Sequence, residues 1–467
     1  MLAFGVAFLL AGFLFYGKLI ELIFGADDKI ATPAVAVNDG VDCVPLPLWK
    51  TYLIQLLNIA GPGPIFGAIM GACFGPVVML WVLLGCVFVG SVHDYVSGMI
   101  SLRHNGASLG ELTEIYLGKG PAFFLRIYMI FFLIMVGAVL LTTPAMLLAS
   151  LTKNFGWANK TFWYGVILVY YLVATIAPVD KIIAKIYPIF GAVLLVMAGG
   201  VMGGLLLGDY SMPTFTLADL HPSGLPAWPF LCITVACGAV SGFHATQSPL
   251  MAKCITKESQ GRIVFYGAMI TEGFIALIWA MAGLSFYHGM DGLYAALQHA
   301  GQSGVVYEIC QTLMGPVGAI IAILGVVVCP ISSGDTAFRV SRIMAAEWLK
   351  VPQTGMRNRL LIALPILTCG VVISLLEFSV LWRYFSWSNQ ILAVLAFAIA
   401  TNYFLRKKQK IASLLTALPG GFMVGVTSTY ILCAKEGFHL PYPVSYKIGL
   451  AVTGAVFVLY LWKLFRK

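Results

Sequence analysis

Apolar residues along this chain gather in blocks of roughly 20 or more, each long enough for a helix to cross a bilayer, and do not alternate with polar residues at every second position. That pattern excludes an outer-membrane barrel and predicts membrane-spanning helices. Thirteen spans follow, at residues 2–24, 51–74, 76–101, 122–150, 160–177, 183–207, 229–251, 262–287, 315–340, 358–377, 384–404, 411–434 and 446–465. The first has no basic segment before its apolar core and no small-residue cleavage site after it, so it reads as a retained helix rather than a signal peptide.

Two spans contain sequences that a continuous helix would not choose. In the second, Asn58, Gly61, Pro62, Gly63, Pro64, Phe66 and Gly67 fall at mid-depth, and each proline removes a backbone donor and clashes with the preceding turn. Unwinding is expected between Ala60 and Ile65. The seventh span runs Cys237-Gly238-Ala239-Val240-Ser241-Gly242-Phe243-His244-Ala245-Thr246-Gln247-Ser248-Pro249, again near mid-depth. Non-helical backbone at that depth is tolerated only in packed protein or beside a wet cavity, although Gly and Pro also serve close helix packing and simple kinks. The second span opens a set of five ending at residue 207, and the seventh opens a set of five ending at 404. One set starts inside and the other outside, the inverted arrangement of many secondary transporters that hold substrate near the midplane.

The expected architecture is therefore an all-α polytopic membrane protein with an inverted five-plus-five core and two broken helices. Residues 1–50 form an extra N-terminal helix and a cytoplasmic loop, 51–207 and 229–404 the two repeats, and 411–467 two additional C-terminal helices.

Composition agrees. Of 467 residues, 60% are hydrophobic and only 10% charged, against about a quarter charged in soluble domains, so a water-soluble globule is excluded. With the C-terminus cytoplasmic, all of the 28 Lys and Arg except Lys153, Lys160, Arg383, Lys435 and Lys447 fall inside. The stretches 208–228 and 288–314, taken as long outer loops, carry Asp209, Asp219, Asp291 and Glu308 but no Lys or Arg, whereas Arg357, Arg359, Arg406, Lys407, Lys408 and Lys410 lie on the other side. The N-terminus is then outside. The net charge of +9 is met by anionic headgroups of the lipid bilayer, with no nucleic acid required. The ten cysteines are scattered without a CxxC pair and read as small core residues.

Polar groups inside spans are the candidates for function. Glu272 is the deepest acid, about 15 Å from the start of its helix, where it must be protonated or paired. It serves either a structural hydrogen bond or coupling and proton relay. His93 and Asp94 lie about 26 Å along the third span, as a helix-end charge cluster or an inner gate. His244 sits inside the expected second break, where an imidazole donates to a carboxylate or carries a proton. Ser332, Ser333 and Asp335 gather oxygens beside Pro330 in the ninth span, suited to Na⁺ or to a proton path, with bonding back to their own helix as the plain explanation. Lys181 and Lys185, one turn apart, either snorkel or supply an internal positive charge. No Walker loop, HExxH or paired Cys/His zinc spacing is present, and no enzymatic role or cofactor is expected.

The run Gly71-Ala72-Cys73-Phe74-Gly75-Pro76 to Trp81, continued through Gly85, Phe88, Gly90, His93-Asp94-Tyr95, Gly98-Met99 and Arg103, resembles the carbon starvation protein family of bacterial inner-membrane transporters. So do Asn58 to Gly67 and Ser332-Ser333-Gly334-Asp335-Thr336-Ala337-Phe338-Arg339. The resemblance runs from about residue 1 to 380; longer members have additional C-terminal spans. It implies uptake of peptides or small carboxylates such as pyruvate, coupled to H⁺ or Na⁺, and membership of the amino acid-polyamine-organocation superfamily. By that likeness the second half of the first broken helix holds the substrate carboxylate, Ser332 and Ser333 fall near the ion position of Na⁺-coupled members, and Lys181 or Lys185 replaces that ion in proton-coupled ones. The expected substrate site lies between the breaks, at Asn58, Gly61, Gly63, Phe66, Gly67, Ser241, Gly242, His244 and Gln247. An ion channel built on the same breaks is the alternative, disfavoured because no repeated carbonyl filter or ring-forming charge motif is present.

Overall fold

A computed structural model describes residues 2–38, 43–152, 154–176, 179–353 and 355–465, with side chains for all of these except 176–188, 317, 321 and 322. The apolar blocks become helices α1 (Leu2–Phe24), α2 (Leu48–Ile59), α3 (Gly63–Ala72), α4 (Val77–Arg103), α5 (Leu109–Leu117), α6 (Lys119–Leu151), α7 (Lys160–Ile176) and α8 (Val179–Leu207). They continue with α9 (Ala227–Thr234), α10 (Gly242–Ala252), α11 (Glu258–Phe286), α12 (Met290–Trp348), α13 (Met356–Ser374), α14 (Phe378–Arg406), α15 (Lys410–Cys433) and α16 (Tyr442–Phe465). Among the described residues ten helices are long and apolar enough to cross a membrane, or eleven if the bent pair α2 and α3 is one span. The protein is a multi-pass membrane protein. The expected span at 160–177 is the 17-residue α7, and that at 229–251 is divided between α9 and α10, each too short to cross alone.

The stretch 288–314 is not the loop expected from its polarity. Helix α12 begins at Met290 and is interrupted only at Gly301 and Gly315, both at φ 67. Leu293, Val305, Val306, Ile309 and Cys310 are fully buried, so this part of α12 has an apolar side that the core accepts.

Helices α4 and α11 have 78% and 83% of their most apolar windows buried, against 28% for α1 and 11% for α16. The first two therefore form the centre, and the last two face lipid at the rim. Close approach in the centre depends on glycine. Where Gly90 of α4 would carry a side chain lies the Ala239 backbone, and beside Gly273 of α11 lies the Cys86 side chain.

Both expected breaks are present, each narrower than its sequence suggests. Helix α2 stops at Ile59, Ala60 adopts φ −78 and ψ 70, and the chain restarts at Gly63 bent by 56°. Unwinding ends before Pro64 because that residue sits in the first turn of α3, where no backbone donor is needed. The second break runs from Val235 to Ser241. Gly238 there has φ 91, a left-handed conformation that glycine takes without a steric cost, and Ser241 is extended at φ −142. His244, Gln247 and Pro249, expected in unwound chain, are helical in α10 instead.

Candidate functional site

The two interruptions meet in the middle of the bundle. Any side chain on Gly63 would collide with Cys237, while Gly67 faces the Thr234 carbonyl and Gly71 the Val235 side chain. Carbonyls freed by the second break find partners on neighbouring helices: Trp81 Nε1 donates to Val235 at 2.9 Å, and Gln390 Nε2 to Cys232 at 3.1 Å. The start of α10 is capped from another helix. Phe243 N–H donates to Asn389 Oδ1 of α14 at 2.7 Å, and Asn389 Nδ2 donates to Ser241 Oγ at 2.9 Å. Ser241 occupies the N-cap position but makes no cap bond of its own.

Beside this junction three helices bring together groups that are remote in sequence. Asp94 of α4 accepts from His93 Nδ1 at 2.8 Å through Oδ1 and from His244 Nδ1 of α10 at 2.8 Å through Oδ2. With Asp94 ionised both Nδ1 atoms carry hydrogens, which leaves each Nε2 as the atom that can take up a proton. His244 Nε2 faces Glu272 Oε2 of α11 at 3.4 Å. The side chains of His93, Asp94, His244 and Glu272 are all fully buried. Neither Glu272 oxygen has a hydrogen-bond partner; the Gly238 backbone lies nearby without completing one. Among the described residues no Lys or Arg pairs with these acids, and the imidazoles are the basic groups that face them. Among the described residues, Cys237, His244 and Glu272 also form the single group of three donors close enough to hold a metal ion, within 4.8 Å of one another.

Four residues expected in separate roles thus form one connected chain: His93 and Asp94 from the proposed gate, His244 from the substrate site and Glu272 from the coupling set. The rest of that set lies elsewhere. Ser332 and Thr336 bond back along α12, to Cys329 and Ser332 carbonyls at 2.9 and 3.0 Å, and Asp335 pairs with Arg339 one turn on at 3.3 Å. Ser333 Oγ lies 3.2 and 3.3 Å from the Leu57 and Asn58 carbonyls at the end of α2. The side chains of Lys181 and Lys185 fall outside the described residues.

In the expected substrate site, Phe66 is fully buried against Trp382 and Phe378, with centroids at 6.1 and 6.3 Å. Gly61 lies within the first break, and Gly242 packs directly on the α14 backbone at Asn389 and Ala393. Asn58 Oδ1 and Gln247 Oε1 are buried without partners, as is the whole Gln55 amide. Asn389, Gln390 and Gln55 were not singled out from the sequence. The available signal was two adjacent amides at 389 and 390 in the middle of an apolar span, where polar groups are costly without a partner.

A multi-pass bundle with two interrupted helices meeting at its centre has the fold of membrane transporters. It superimposes on a manganese transporter of Eremococcus coleocola with a TM-score of 0.54, over 92% of this chain and 98% of that one, at 12% identity, a likeness of fold alone. The sequence carries the identification further: the chain belongs to the carbon starvation protein CstA family, whose model matches residues 1–159 and 146–304. An uncharacterized membrane protein of Haemophilus influenzae is 43% identical over 63% of this chain and 93% of its own length. The pyruvate/proton symporter BtsT of Escherichia coli and the peptide transporter CstA of Helicobacter pylori J99 are each 30% identical, over 62% and 61% of this chain. The aligned region spans about half the length of these two named transporters, 49% and 50%.

Proposed function

We propose that the protein is a secondary active transporter of the bacterial inner membrane, importing a small carboxylate such as pyruvate, or a peptide, in symport with protons. Its N-terminus lies outside and its C-terminus in the cytoplasm. Substrate binds between the breaks, where α3 and α10 both begin and both helix dipoles favour an anion. Alternating access separates the halves that meet at Gly63 and Cys237.

The observation that carries proton coupling is the buried chain His93, Asp94, His244 and Glu272, linking α4, α10 and α11 beside the second break. Two carboxylates and two imidazoles, with no fixed cation beside them among the described residues, change their total charge by gaining or losing protons. The neighbouring titratable side chains, Cys237 in the break and Cys86 on α4, are thiols and add no fixed charge. Movement at the break shifts His244 relative to Glu272, so proton occupancy and access are tied.

The test is transport in proteoliposomes. Wild type accumulates labelled substrate with an inward proton gradient and not with a sodium gradient. Glu272→Gln keeps counterflow exchange, because binding and alternation survive, but loses accumulation against a gradient. Accumulation by Glu272→Gln equal to wild type, or accumulation driven by sodium alone, would overturn the proposal.

A further inference from the structure

At the end of the bundle where basic residues gather, a second buried charge cluster lies apart from the proton chain. Arg103, the last residue of α4, forks onto Glu258 at the start of α11: Nε donates to Oε1 at 2.9 Å and Nη2 to Oε2 at 2.8 Å. The Glu258 side chain is fully buried and that of Arg103 is 13% exposed. Nη2 also donates to the Gly25 carbonyl at 2.6 Å, Nη1 to Tyr403 Oη of α14 at 3.3 Å, and the guanidinium lies 4.4 Å over the Phe24 ring. The corner after α1 returns the contact. Asp27 N–H donates to Glu258 Oε2 at 2.8 Å, and Asp28 accepts from Ser259 N–H and Oγ at 2.8 Å each.

Four segments therefore close on one ion pair, and three of them, α4, α11 and α14, supply Asp94, Glu272 and Asn389. The fourth, α1, lies outside the five-plus-five core. A buried arginine–carboxylate fork is no stronger a structural fastener than apolar side chains of similar size, and it is strongly disfavoured once either partner is lost. Such a contact suits a junction that must open as a unit and reclose in register. We infer that Arg103 and Glu258 form the lock that shuts the substrate pathway at the basic face, and that α1 with its Phe24–Asp28 corner is the clasp that holds it. This names a regulatory device for the transporter proposed above and rests on that assignment.

The lock is tested on native Cys237, buried in the second break, in a chain whose other cysteines are replaced by Ser or Ala. Purified protein is reconstituted in both orientations and treated with an impermeant maleimide. Glu258→Gln leaves a buried guanidinium unpaired, so labelling of Cys237 from the basic face rises about tenfold or more. Labelling from the opposite face does not rise. The exchanged pair Arg103→Glu/Glu258→Arg restores slow labelling, and Gly25→Ala, which strains the φ 73 turn without meeting any neighbour, gives a smaller rise. Slow labelling in a folded Glu258→Gln protein, or equal acceleration from both faces, overturns the lock. If proton-driven uptake fails while labelling behaves as stated, the proton-coupling assignment falls and the lock stands.

Discussion

Gly63→Ala adds one methyl group to the first turn of α3. Helix propensity alone makes this stabilising by about 0.5–1 kcal/mol. The structure predicts the opposite, because the new Cβ falls on the Cβ and Sγ of Cys237, whose Cα is only 3.5 Å away. That obstacle is fixed to the backbone and cannot rotate aside. Overpacking of this kind costs about 1–3 kcal/mol, leaving a net loss of up to about 2.5 kcal/mol. Relief requires the two breaks to part, which also moves the capped start of α10 and His244, so uptake falls by about tenfold or more. The assay pairs thermal unfolding in detergent with substrate counterflow in proteoliposomes, for Gly63→Ala alone and combined with Cys237→Ala or Cys237→Gly. Cys237→Ala keeps the clashing Cβ and leaves the defect; Cys237→Gly removes it and restores both stability and exchange. A Gly63→Ala protein at least as stable as wild type, or rescue by alanine as complete as by glycine, would refute the reasoning.

Three further outcomes follow from particular contacts. Asn389→Ala leaves the Phe243 N–H buried without an acceptor and lowers stability by about 1–3 kcal/mol, read as a drop in Tm; an unchanged Tm would mean that α10 needs no cap from α14. Ser333→Ala removes the hydroxyl from the Leu57 and Asn58 carbonyls and costs about 1 kcal/mol, while uptake remains independent of sodium; new sodium dependence on this background would identify the vacated carbonyls as an ion site. In the stretch before α9, burial lowers the pKa of His221, which packs on Phe74 and Tyr294 with ring centroids at 4.5 and 5.6 Å. The neutral ring is the favoured form, so its contribution is complete above the ordinary histidine range of about 6.5 and is lost as the pH falls below it. His221→Phe flattens the dependence of Tm on pH between about 7.5 and 5.5; an unchanged slope would exclude His221 as its source.

What the sequence determined by itself is local in origin. Apolar blocks place the membrane-crossing helices because a lipid environment forces backbone groups into helices, and Pro62, Gly63 and Gly238 mark the two interruptions because proline and glycine act on their own turn of chain. Even so the sequence overstated both breaks, since Pro64 and Pro249 are accommodated within helices, and it took 288–314 for a loop because the burial of Leu293, Val305 and Ile309 depends on distant neighbours. Depth singled out Glu272 and His244 one at a time. Their union with Asp94, 150 residues from His244, was decided only by the packing of α4, α10 and α11, as was the capping of α10 by Asn389. Each such pairing joins helices whose order in space leaves no imprint on the local pattern of either partner. The chemistry of single residues is written in the chain, and its assembly into a connected path is a property of the tertiary structure.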